Sequence, residues 1–147
     1  MKQQLYRLCL ENINQRIAHI ESAMELAGSS INEETKSSAG DKYETAREMM
    51  TQEIEKNRLQ LSEAIKQKQL LLQLQPDKLT EEIQPGSVVQ TNLGNFYIAI
   101  SVGRLEVEEK TYMAISPASP IGLLFIDKTK GTSISFNGKN YRIEEVS

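Results

Sequence analysis

Residues 32–50 read NEETKSSAGDKYETAREMM, and how this stretch is read decides how the first half of the chain folds. It interrupts, with Ser, Ala and Gly, what is otherwise one long helical pattern. Upstream of it, Tyr6, Leu10, Ile13, Ile17, Ile20, Met24, Ala27 and Ile31 alternate spacings of four and three, which is the seam of a coiled coil. Gly28 weakens that helix by roughly 1 kcal/mol relative to Ala without ending it, because Ile31 keeps the register, and the helix is expected to run to about Glu34. Downstream, Tyr43, Met50, Ile54, Leu61, Ala64 and Leu71 fall on the same lattice, with Arg47, Asn57 and Lys68 at the remaining seam positions. Polar seam residues fix register at a cost in stability.

Folding the chain back near Ser37 and Ser38 satisfies both seams, because it sets Tyr6 beside Leu71 and Ile31 near Tyr43. Residues 1–75 are therefore expected to form an antiparallel helical hairpin with its tip at about 35–41. At 1.5 Å per residue, arms of about 33 residues make a rod roughly 50 Å long. A rod that thin has no room for a ligand pocket, so specific chemistry belongs at its tip or along its surface. The quoted stretch is that tip.

From Gln84 onward the composition changes. Runs rich in Val, Ile, Tyr and Phe, separated by Gly, Pro and Asn, read as short strands around Val88–Thr91, Asn95–Val102, Thr111–Ser116, Thr132–Phe136 and Tyr141–Val146. Asn137-Gly138 marks a hairpin between the last two. Two helical turns fit at Ile121–Ile126. The segment 76–86, with Pro76 and Pro85, reads as a linker, and 87–147 as a small antiparallel sheet domain near the lower size limit for independent stability. The fold class expected is α+β.

Bulk properties bound the function. The chain has 147 residues, 39% hydrophobic and 25% charged, with a net charge of -3. That charge lacks the basic footprint of a protein that grips nucleic acid through phosphates. The segment MKQQLYRLCLENINQ is polar from the start and lacks the seven or more consecutive apolar residues of a signal peptide, and no apolar run approaches the ~20 residues of a membrane span, so a cytoplasmic protein without membrane contact is expected. Cys9 stands alone and His19 is the only histidine, so neither a disulfide framework nor a thiolate or imidazole metal cluster is available, and no intrinsic cofactor is expected. Cys9 reads as a small packing residue, His19 as an exposed helix position, and Met49 and Met50 as packing. Ser116 and Ser119 have no histidine in their half of the chain, which leaves a Ser-His-Asp nucleophile unsupported.

Three stretches resemble the Gre family of bacterial transcription elongation factors. The most specific is ISPASPIGLLFIDKTKGTSISFNGKNYRIEEV at 115–146, similar to the family's Ser-Pro-Ile-Gly/Ala turn, short helix, glycine turn and two closing strands. A weaker likeness lies in GSVVQTNLGNFYIAIS at 86–101, and a third in YETAREMM, where Tyr43, Ala46, Arg47 and Glu48 match the family's tyrosine, alanine, basic residue and acid. The resemblance implies an N-terminal antiparallel coiled coil followed by an FKBP-like domain. It further implies a non-enzymatic partner of RNA polymerase whose rod enters the secondary channel, touching the nascent RNA 3′ end only through the polymerase. Docking at the channel entrance is assigned to the turn Ser116, Pro117, Ser119, Pro120, Ile121 and Gly122.

In the family's cleaving members an acidic pair at the tip helps hold a second Mg²⁺ in the polymerase site, where the ion activates water against backtracked RNA. Aligned without a gap, the positions of that motif are Lys36, Ala39 and Gly40 here. The carboxylates nearby are Glu33, Glu34, Asp41 and Glu44, and the hairpin pairing sets Glu34 opposite Asp41. These are the candidate ligands for a Mg²⁺ shared with the polymerase. Asp41-Lys42-Tyr43-Glu44 also has the form of a helix start, with Asp41 as N-cap and Glu44 in the first turn. Three functions stay open at this point: a regulator that stimulates cleavage, a channel-occupying inhibitor or antagonist without cleavage, and a coiled-coil scaffold outside transcription. The oligomeric state is open as well.

Overall fold

The computed structural model describes the backbone of residues 1–36 and 42–147, and the side chains of 1–29 and 45–147. Two long helices, α1 (Lys2–Lys36) and α2 (Lys42–Leu72), precede a six-stranded sheet. Their length follows from composition: no proline interrupts either, and Glu, Gln, Lys, Leu and Met dominate both. The chain divides into two compact units, one of residues Ile13–Lys68 and the other of Met1–Asn12 together with Gln69–Ser147. The division falls within the helices rather than at the segment 76–86.

In the unit Ile13–Lys68 the buried positions are the seam positions. Ile13, Ile20, Asn57 and Ala64 are buried, and Ile17, Met24, Met50, Ile54 and Leu61 are half-buried. Arg16, His19 and Ile20 of α1 line one groove with Gln60, Glu63 and Ala64 of α2. Because only residues 37–41 separate the helices, a meeting of 16–20 with 60–64 requires them to run antiparallel. Met49, expected to pack, is exposed, as is Arg47, while its neighbour Met50 faces the seam.

The other unit is built on the sheet, whose strands are β1 (Val88–Thr91), β2 (Gly94–Ile98), β3 (Gly103–Val107), β4 (Lys110–Ile115), β5 (Ser133–Phe136) and β6 (Lys139–Val146). Their order across the sheet is β3-β4-β2-β1-β6-β5. Phe96, Tyr97 and Ile98 of β2 are all buried, as expected of a central strand covered on both faces. On one face Val89, Phe96, Ile98, Ile134 and Ile143 pack with Phe125 of the short helix α3 (Pro120–Phe125). On the other lie Val88, Tyr97 and Ala114, cross-strand neighbours by register, with Tyr112 two residues before Ala114 on β4. That face receives the start of α1: the Tyr112 hydroxyl donates to Met1 Sδ at 2.9 Å, and Leu5 and Cys9 are fully buried. Tyr6 and Leu10, expected at the seam's centre, are only half-buried, because here α1 has a sheet to cover and its buried arc turns toward Leu5 and Cys9.

Two expectations are corrected. The sheet is mixed rather than antiparallel, since β2 and β4 pair in parallel. After β2 the chain crosses to the outer edge as β3 and returns through a tight turn, which inserts β4 between β3 and β2 in the direction of β2. Strand β3 was not expected at all, because its turn, Glu108-Glu109, has φ of 52° and 65° in residues that carry no turn signal. The segment 76–86, read as a linker, is held by contacts within its own unit. Ile83 is fully buried, its N–H donates to the Lys128 carbonyl at 2.9 Å and its carbonyl accepts from Asp127 at 2.8 Å, and the buried hydroxyls of Thr80 and Ser87 bond each other. Burying one isoleucine on this scale contributes about 2 kcal/mol, enough to hold a short segment down.

Candidate functional site

The Ser116–Gly122 turn is built from its own hydroxyls and one missing Cβ. Leaving β4, the Ser116 N–H donates to Ser101 Oγ at 3.1 Å, and the Ser116 carbonyl accepts from the Ser119 N–H at 3.1 Å and the Ser119 hydroxyl at 2.6 Å. Ser119 is the N-cap of α3: its Oγ accepts from the Gly122 N–H at 3.1 Å, and Pro120 follows at the first helical position, where its missing N–H costs nothing. Gly122 is required by contact. A Cβ there would run into the Ser116 carbonyl oxygen and stand 2.8 Å from Ser119 Oγ.

The turn aims α3 at the sheet through Phe125. Its ring centroid lies 5.1 Å from that of Phe96 and 6.3 Å from that of Tyr141, with Phe96 and Tyr141 at 5.8 Å, tilted and edge-on as aromatic quadrupoles favour. What the turn and helix leave outward is apolar. Pro120 is exposed, Leu123 is 64% exposed and Leu124 37%. Met113, the cross-strand neighbour of Phe96, is 41% exposed on the sheet face that α3 covers. Of the residues assigned to partner binding, Ser119 and Gly122 are thus occupied in holding the turn, Ser116, Pro117 and Ile121 are half-buried, and Pro120 faces solvent. Leu123 was missed by the sequence reading. Its signal was there, since an apolar residue next to the inward pair Gly122 and Phe125 on so short a helix must face away.

The tip carboxylates fare differently. Glu33 and Glu34 lie on α1 and Glu44 on α2, and Asp41 lies outside the described residues, as does most of the tip expected at 35–41. Among the described residues, no three His, Cys, Asp or Glu side chains stand close enough together to hold a metal ion. No described helix is long and apolar enough to cross a membrane.

Ionisable groups near the start of α1 are shaped by burial. Loss of hydration pushes the Cys9 thiol up to about 12, leaving no thiolate at neutral pH. Tyr97 is raised by its burial first and by Cys9 and Tyr6 beside it second, and its hydroxyl has no hydrogen-bond partner. Burial also raises Tyr112, with Glu108 adding to it. Lys2 is nearly buried and its pKa is lowered by desolvation, while its ammonium donates to the Lys78 carbonyl. Each of these groups is held in its neutral form, or destabilised in its charged one, by packing.

Chemically, the described part of the molecule offers a rigid turn with outward apolar side chains, a surface suited to docking. Set against models of protein families, curated proteins and solved structures, the chain matches none.

Proposed function

We propose that this chain is a regulator of bacterial transcription elongation, similar to the Gre factors, that binds RNA polymerase in the cytoplasm. In this reading the helical hairpin enters the secondary channel, and the sheet domain, read as FKBP-like, docks at the channel entrance through the Ser116–Gly122 turn and the apolar side chains beside it. The observation that carries the reading is the stretch Ile115–Val146, whose order of turn, short helix, glycine turn and two closing strands is that of the Gre pattern. The two long helices that precede the sheet support it. The protein would be no enzyme itself and would act on the polymerase's own activity.

A specific observation favours occupation of the channel over stimulated cleavage: Lys36, Ala39 and Gly40 stand where cleaving members carry acids and an asparagine. If cleavage is stimulated, its Mg²⁺ ligands come from Glu33, Glu34, Asp41 or Glu44, and the chemistry is that of a second metal lowering the pKa of water. The experiment is RNA cleavage in a stalled, backtracked elongation complex of the cognate polymerase at limiting Mg²⁺, with the wild-type chain and with Glu34→Ala/Asp41→Ala. Slower nucleotide addition without faster cleavage is the expected result. Faster cleavage that the double change abolishes would assign those carboxylates to the metal, and no effect of any kind on the complex would overturn the proposal.

A further inference from the structure

We draw no further inference here: the strongest candidate, the cleft of about 400 Å³ that Leu70, Leu74, Lys78, Pro85, Ala99 and Pro117 help to line between the end of α2, the segment 76–86 and the Ser116–Gly122 turn, carries nothing, because Lys78 is the one charged residue among the described residues that line it and nothing in the structure shows what covers its apolar walls.

Discussion

Cys9 shows how a single buried side chain sets a pH dependence. Its thiol ionises from about 12 in the folded chain and from 9.0 when freed of its surroundings. Between those values the unfolded chain holds fewer protons than the folded one, so stability is intact below pH 9.0 and falls as pH rises. Tyr97 has the same sign from 10.0 upward. Lys2 opposes them, because its lowered pKa means the unfolded chain holds more protons below 10.5 and rising pH relieves a buried charge. Unfolding in denaturant at a series of pH values should therefore show a decline above pH 9.0 that is shallower in Cys9→Ala; an unchanged slope would remove the thiol from the account. Gly122→Ala forces a Cβ onto a backbone oxygen and should cost about 1–3 kcal/mol, more than the ~1 kcal/mol for Ser119→Ala, which removes the cap and the hydroxyl's bond to the Ser116 carbonyl but introduces no clash. The reverse order in denaturant midpoints would contradict the turn as described. Both residues were legible in the sequence as parts of a Ser-Pro-Ile-Gly turn. Their mutual contact was not, because it depends on the path between Ser116 and Gly122 rather than on either residue's type.

At the scale of elements, what was legible had a period or a turn signal. The 4–3 spacing located both helices and, in Ile20, Asn57, Ala64 and Leu71, residues that are buried. Asn137-Gly138 located the last hairpin, with φ of 52° and 76° as a tight two-residue turn demands. Strand β3 had no such mark. Arg104 and Glu106 make it polar in sequence, two more glutamates form the turn after it, and only Leu105 and Val107 reach the core. With β3 unseen, the parallel pairing of β2 and β4 was invisible, since a strand missing from the order turns a mixed sheet into an apparent meander. The burial of Ile83 was hidden for a related reason: a proline at each end of a segment reads as a linker, while the N–H and carbonyl that pin it come from Asp127 and Lys128 respectively, far along the chain. The turn supplies a direct check. Two glutamates at positive φ store strain that Asn-Gly would not, so Glu108→Asn/Glu109→Gly should stabilise the protein by roughly 1–2 kcal/mol in denaturant unfolding. A loss of stability would mean the glutamates make contacts that outweigh the strain.

For the whole molecule, the candidate site has two parts, the Ser116–Gly122 turn in the sheet unit and the tip expected at residues 35–41. In the sheet unit, β2 is covered on both faces, and α3 turns Leu123 and Leu124 outward because Gly122 and Phe125 are the residues that turn in. The account's functional claim is that this apolar surface meets RNA polymerase. The measurement that bears on it most directly is association of the full chain with the core RNA polymerase of its own organism, by sedimentation velocity, for the wild type and for Pro120→Asp/Leu123→Asp. These two residues face solvent, so the change leaves the fold in place, which the unfolding transition can verify. The account predicts a complex that the double change weakens by at least about tenfold, equivalent to the loss of ~1.4 kcal/mol of binding. No complex, or a complex indifferent to charge at these two positions, would contradict it.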